Sequence, residues 1–289
     1  YFEGNGQDYV LSNRLFFRSG APPKTYGEFE NTAAQGFYFD DLTYSVARQT
    51  APTIALAKYE TGFEPGEPGK PGMSAGSIER QEGWSGGTDT IETIVDQKVD
   101  QSGDNKHTGQ GAWRISNNTS KGNHNGSFAR WAFGPGLRVF AGQPSAVAGR
   151  FSSTVYFRSA SATADGSYIE IDLGSVLGDD RNTNLSLQNK ADGDDGGLLL
   201  RVNQWVGSIG DFSPVIIKKG ITRGEWHRLD IVAKFHDGPA NDTVEYTLDG
   251  APLVNLAGGT TFDTYEGYRP TVPQPYVLIN RLYFRSNSA

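Results

Sequence analysis

The chain has 289 residues, no cysteine, one methionine and a formal net charge of −7 at pH 7. Without cysteine it has neither a disulfide framework nor a thiolate zinc site, and its acidic balance disfavours nucleic acid and anionic membrane surfaces as partners. No apolar run approaches the ~18 residues that a membrane-spanning helix needs. The 37 glycines and 14 prolines favour a turn-rich all-β protein.

The predicted elements begin with two strands at 9–18 and 36–46, in which apolar and polar residues alternate and aromatic types are frequent. Turn signals such as Asp249-Gly250 recur between later strands. Many short strands separated by turns predict an antiparallel two-sheet sandwich. The later predicted strands are 54–63, 90–99, 111–116, 127–132, 148–159, 168–173, 184–188, 197–202, 215–217, 226–235, 242–248 and 276–285.

An eleven-residue stretch near the start of the chain recurs near its end. Residues 9–19 read YVLSNRLFFRS and residues 276–286 read YVLINRLYFRS, so nine of eleven positions are identical at an offset of 267 residues. Agreement of this kind indicates an internal repeat. We therefore expect both copies to belong at the same place in the same fold.

Three further segments carry a family resemblance. They are ETGFE at 60–64, GEWHRLD at 224–230 with the Asp-Gly hairpin behind it, and GFYFDDL at 36–42. Together they resemble the concanavalin A-like, laminin-G-like jelly-roll superfamily, as found in tandem repeats of secreted bacterial surface proteins. The resemblance implies a two-sheet antiparallel jelly-roll sandwich and a secreted, extracellular protein of the cell surface or matrix.

The order of the segments departs from that pattern, because the strand that closes such a sandwich here precedes the opening one. We interpret residues 1–48 as the closing strands of a jelly-roll unit, 49–53 as a linker and 54–289 as the sandwich. Two arrangements remain open. Residues 36–46 either fold back onto the same chain, as in a circular permutant, or complete a neighbouring copy while this body receives the next chain's segment.

The second arrangement is β-strand complementation, which joins subunits through main-chain hydrogen bonds along a sheet edge. Repeated head to tail, it builds a homopolymeric filament. The leading prediction is therefore an extracellular structural or adhesive repeat unit whose partners are copies of itself. The side chains expected to carry the assembly are the apolar ones of the two first strands: Tyr9, Leu11, Leu15, Phe17, Phe37, Phe39, Leu42 and Tyr44.

Calcium is the predicted cofactor, since carboxylates in glycine-rich loops suit a hard cation with oxygen ligands. The resemblance implies a structural Ca²⁺ between the opening Phe-Glu and the closing Asp-Asp, and a second acidic loop lies near residue 193. In both places, solvated acidic turns are the alternative. The candidate ligands are Asp40, Asp41, Glu64, Asp192, Asp194 and Asp195.

The alternative function is a carbohydrate-binding, lectin-like module of a larger secreted protein. Exposed aromatic rings can pack against glycan rings, and Trp84, Trp131 and Trp205 are the candidates, with Asn182 and Asn184 as polar partners. The two remaining tryptophans, 113 and 226, fall on predicted strands and are expected in the core.

An enzyme is the third hypothesis. Family 16 glycoside hydrolases share this fold and use Glu-X-Asp-X-X-Glu on one strand face, where alternate carboxylates lie side by side. The chain begins this motif at Glu170 and Asp172 but has Ser175 in place of the second catalytic glutamate. Without an acid/base there is no protonation of the leaving group. We therefore predict no hydrolase activity, with both carboxylates facing solvent.

Overall fold

The computed structural model describes residues 14–20, 36–50, 53–66, 72–78, 81–86, 97–115, 130–133, 149–164, 168–174, 183, 185–190, 196–206, 211–234, 241–264 and 281–286. Within these ranges all regular structure is β-strand, so no helix there is long or apolar enough to cross a membrane. The strands are β1 Arg14–Gly20, β2 Phe37–Thr50, β3 Thr53–Thr61, β4 Gly76–Ser77, β5 Ser85–Gly86, β6 Gln97–Asp100, β7 Ala112–Ile115, β8 Arg130–Phe133, β9 Gly149–Ser159, β10 Tyr168–Gly174, β11 Leu185–Gln188, β12 Leu198–Val206, β13 Asp211–Ile221, β14 His227–Lys234, β15 Thr243–Leu248, β16 Ala251–Pro252, β17 Thr261–Asp263 and β18 Arg281–Ser286.

The strands form two sheets. Sheet A has the order β13-β12-β11-β10-β18-β1-β8-β5. Sheet B has the order β16-β15-β14-β9-β2-β7-β6-β4, with β17 paired to β15 and β3 paired to β2. The pairings between these strands are antiparallel, apart from the parallel pair β1–β18. The predicted all-β, two-sheet antiparallel sandwich is confirmed.

One apolar core draws on both sheets because side chains alternate in and out along each strand. In sheet B, Leu229 and Ile231 of β14 are buried between partly exposed neighbours, and in sheet A, Ile169 and Ile171 of β10 belong to the same cluster. Removing such a side chain from water stabilises the fold by about 1.5–3 kcal/mol. This shared core holds the two sheets together.

An aromatic group lies at one end of the core. The Trp113 ring centroid is 5.0 Å from that of Trp84, 5.6 Å from Phe39 and 6.1 Å from Phe63. The indole N–H of Trp84 donates to the hydroxyl of Tyr59 at 2.9 Å. Trp113 is fully buried, as predicted.

The strand predicted to be exchanged lies in the middle of the chain's own sheet B. β2 pairs with β9 along most of its length, with β7 at its start and with β3 from Leu42 to Thr50. Thr50 is opposite Thr53, so β2 and β3 form a hairpin. Phe37, Phe39, Leu42 and Tyr44 are all completely buried in the core. Within this chain, residues 36–46 thus pair with the strand that follows them, which is the fold-back arrangement; exchange between chains stays a prediction.

Candidate functional site

The first candidate site begins at a bulge in β2. The register between β2 and β9 shifts between Asp40 and Thr43, and Asp41 has a φ of 45°, which is unusual for a residue other than glycine. A bulge bends the strand and re-aims its side chains. Asp40 is completely buried, whereas Asp41 is partly exposed and lines an open groove.

The buried carboxylate holds a loop that follows β6. One oxygen of Asp40 accepts the N–H of Asp41 at 2.7 Å, and the other accepts the N–H groups of His107 at 2.8 Å and Thr108 at 3.1 Å. Burial, with a smaller contribution from the charge of Asp41, raises the pKa of Asp40 to about 7, although the three N–H donors oppose the shift. The Asp40 carboxyl group therefore titrates near neutral pH.

The neighbouring carboxylate contacts the side chains of the same loop. Nδ1 of His107 lies 2.6 Å from one oxygen of Asp41, and the Thr108 hydroxyl donates to the other at 2.7 Å. The His107 ring also stacks on Tyr156, with centroids 3.9 Å apart and planes tilted by 16°. His107 is thus fixed between a carboxylate and an aromatic face.

Glu64, which follows β3, holds the far end of the loop. Its carboxylate accepts the N–H groups of Gln110 at 2.7 Å and Gly111 at 3.2 Å. Gly109 has a φ of 59°, and a Cβ there would overlap the Glu64 carboxylate. We call Asp40, Asp41 and Glu64, together with the loop 101–111 that they hold, the carboxylate clamp.

The clamp brings together three of the predicted calcium ligands, Asp40, Asp41 and Glu64. Oε1 of Glu64 and Oδ1 of Asp41 lie 3.3 and 3.4 Å from the point where a Cβ on Gly62 would stand, so both carboxylates border one small space. Oxygen donors of this kind are what Ca²⁺ prefers.

However, each oxygen of the three clamp carboxylates already accepts a hydrogen bond. Over the described part of the chain, no three His, Asp or Glu side chains converge as a metal-holding group. A bound Ca²⁺ would therefore have to compete with these donors for Asp41 and Glu64. The other predicted ligands, Asp192, Asp194 and Asp195, lie outside the described residues.

An open groove of about 1070 Å³ runs beside the clamp on the outer face of sheet B. The residues that line it include Asp41, Glu60, Thr154, Tyr156 and Arg228. These residues lie together because β3, β2, β9 and β14 are neighbours in the sheet. Sequence reasoning missed Tyr156 and the loop around His107, which carry no recognisable motif.

Of the five predicted sugar-binding residues, Trp84 is the one whose side chain the structure describes. Trp84 is only 1% exposed and packs in the core, so the expectation that it is exposed is wrong. The backbone N–H of Trp84 donates to the carbonyl of Gln81 at 2.8 Å and closes a turn there. The backbones of Trp131 and Trp205 lie on β8 and β12, but their side chains are outside the description, as are the residues 182 and 184.

Trp226, predicted to be in the core, is instead half-buried on the outer face of sheet B, where the guanidinium of Arg158 lies 5.4 Å from its ring centroid. Arg158 also lies 5.5 Å from the Tyr38 ring centroid. Trp226 immediately precedes β14, in which buried and exposed side chains alternate. The sequence alone therefore cannot show whether Trp226 is in the core or outside it.

The incomplete hydrolase motif lies on β10. Glu170 and Asp172 are 1% and 0% exposed, so the expectation that they face solvent is wrong. The Tyr168 hydroxyl donates to Glu170 at 3.4 Å, and the next strand places Ser186 and Gln188 in a buried polar pair bonded at 3.1 Å. These carboxylates belong to a buried polar layer of sheet A, and Ser175 lies beyond the described residues.

The second candidate site is the edge of β10 that faces away from β11. Leu173 of β10 is opposite Leu282 of β18, and it is also opposite Leu15 of β1. The two copies lie parallel with Leu15 beside Leu282 and Phe17 beside Phe284, which reproduces the 267-residue offset of the repeat. One edge of a strand forms one ladder. We call this edge the shared edge, because two equivalent strands fit it in one register.

A scan against protein-family models, a search of curated proteins and a search of solved structures each found no match to this chain.

Proposed function

We propose that the chain is an extracellular structural or adhesive unit that links to copies of itself head to tail by β-strand complementation. The observation that carries the proposal is the register of the shared edge, where Leu15 and Leu282 are both opposite Leu173. A fold with two copies of one strand and one edge for them can close with its own strand or with another chain's. The resemblance to secreted jelly-roll repeats supports the extracellular setting.

The balance between the closed and the linked form depends on the strand pairings that each form contains. Exchange replaces the ladders that one strand makes with β10 and β8 by equivalent ones, so the energy of strand pairing is nearly unchanged. What differs is concentration, because a tethered strand has an effective concentration in the millimolar range when its linker is short and flexible. Linked chains therefore form in concentrated samples and, once zipped, separate slowly because a whole strand must be released.

A heterologous contact of this kind does not close on itself and so gives filaments. Concentrated protein should show species of increasing mass by light scattering and fibres by electron microscopy. The variant Leu15→Pro removes a ladder donor and should suppress them, whereas the matched variant Leu15→Ile keeps the N–H and should not. Monomer at every concentration would overturn the proposal.

A second candidate function, glycan binding, is favoured by the open groove. The residues that line it include one aromatic residue, Tyr156, and the polar residues Glu60, Thr154 and Arg228, which is the mixture of residue types that sugar sites use. Saturable binding on a glycan array that Tyr156→Ala abolishes would establish it. Binding that survives Tyr156→Ala but is lost in Trp131→Ala or Trp205→Ala would place the site elsewhere.

A further inference from the structure

We infer that the shared edge of β10 is a binding site for a free extended segment, and that its ligand is the strand sequence of 276–286 or 9–19 from any copy of this chain. The inference rests on the proposed strand complementation and identifies the exchanged element. The sequence pointed to residues 36–46 for that role. The structure favours the repeated strand instead.

The first support is that the repeated strand has a competitor for its place, whereas β2 has none among the strands that the structure describes. In sheet A, β1 and β18 place Leu15 and Leu282 opposite the same residue of β10. In sheet B, β2 is flanked by β9 on one side and by β7 and β3 on the other, and no second strand in the described ranges lies on those same edges. Exchanging β2 would also open its hairpin with β3. Exchanging the repeated strand opens its ladders with β10 and β8 and closes equivalent ones in the other copy.

The second support is that the site has two walls. On the side away from β10, the repeated strand meets β8, where Phe17 is opposite Ala132 and Arg18 is opposite Trp131. A strand that enters here gains main-chain hydrogen bonds on both of its edges, as in β-augmentation of an open sheet. Backbone pairing on two sides gives affinity for an extended segment without a dedicated pocket.

The third support is the near-identity of the competing strands. They differ at Ser12/Ile279 and Phe16/Tyr283 only, and Tyr283 is opposite Asp172 in the ladder. Since one edge of β10 forms one ladder, two strands of almost equal affinity compete for it, and only one of them forms the full ladder at a time. The displaced copy is the donor available to another chain.

The test uses the full chain and a labelled eleven-residue peptide with the sequence of 276–286. Fluorescence anisotropy measures binding of the peptide to the wild type and to the double variant Leu15→Pro/Leu282→Pro. The two prolines weaken the pairing of both internal strands with β10. The apparent affinity for the double variant should exceed that for the wild type by at least about tenfold, since internal strands keep the wild-type edge occupied most of the time. A peptide with proline in place of its leucine at 282, and a scrambled peptide, should not bind.

A second measurement tests the inference even if the double variant does not fold. Leu173→Cys in the otherwise cysteine-free wild-type chain is incubated with the peptide carrying cysteine at position 282. A cross-strand pair lies within disulfide range, so mild oxidation should link peptide and chain. The same peptide should not link to Leu256→Cys, an exposed control position.

The outcomes separate this inference from the proposed function. Peptide capture by a chain that stays monomeric at high concentration supports the binding site and refutes assembly. Filaments without peptide capture support assembly through another element, such as Phe37–Thr50, and refute the binding site. Failure of both the anisotropy and the disulfide measurement overturns the inference.

Discussion

The substitution Gly109→Ala tests how the carboxylate clamp is held. Gly109 has a φ of 59°, and a Cβ there would overlap the carboxylate of Glu64. A left-handed alanine costs about 1 kcal/mol. Relieving the overlap requires Glu64 to turn away from the N–H groups of Gln110 and Gly111, and two partly exposed bonds to a charged acceptor are worth about 1 kcal/mol each. We expect a total loss of about 3 kcal/mol in unfolding free energy.

The matched control lies in the same loop. Gly103 has a φ of 83° and only Lys106 Nζ at 3.9 Å from its Cβ position, so Gly103→Ala carries the backbone cost alone. Guanidinium denaturation of both variants measures the difference. In a Glu64→Ala background, Gly109→Ala should cost no more than Gly103→Ala, because the bonds it would break are already gone. Equal losses for both glycine variants in the wild-type background would refute this account of the clamp.

Three further predictions concern the same half of the molecule. Because burial raises the Asp40 pKa from 3.8 to about 7, the folded chain keeps this proton to higher pH than the unfolded chain. The contribution of Asp40 to stability therefore falls as pH rises from about 4 to 7. Over that window the stability of Asp40→Asn relative to wild type should increase by up to about 4 kcal/mol, and it should stay constant above it. A difference in denaturation midpoints that does not change with pH would contradict this. Trp84→Phe should lower the unfolding free energy by about 2–3 kcal/mol through the lost bond to Tyr59 and the cavity left in the core, whereas a urea-measured loss below about 0.5 kcal/mol would mean a surface position. The calcium prediction requires that millimolar Ca²⁺ raise the Tm of EDTA-treated protein and that Glu64→Gln abolish the rise; an unchanged Tm would show that hydrogen bonds alone close the clamp.

Alternation and the repeat predict most of the fold. The buried-and-exposed period of β14 and β15 is visible in the letters of 226–248, and the structure has strands there at His227–Lys234 and Thr243–Leu248. The two- and three-residue strands β4, β5 and β17 are too short to carry a period, so only pairing with a neighbour defines them. The stretch predicted as a strand from residue 90 is described as one only from Gln97.

The candidate sites show where sequence reasoning ends. The resemblance implies Asp40, Asp41 and Glu64 as one site, and in the structure all three carboxylates accept hydrogen bonds from the loop 101–111. His107 and Thr108 could not be found, because a histidine in a polar loop has no period and its partner is 66 residues away. A local pattern also cannot predict burial. The period of two on β10 shows which face of the sheet Asp172 is on, but not that other residues cover this face.

The most direct test of strand complementation mixes two single-cysteine variants of this cysteine-free chain. One carries Leu15→Cys and the other Leu173→Cys, positions that are opposite each other in the ladder. Since the two thiols are on different molecules, a disulfide between them forms only if β1 of one chain occupies the shared edge of another. The account predicts a mixed disulfide dimer whose yield rises with protein concentration. A yield no higher than that of Leu15→Cys mixed with Leu256→Cys would contradict it.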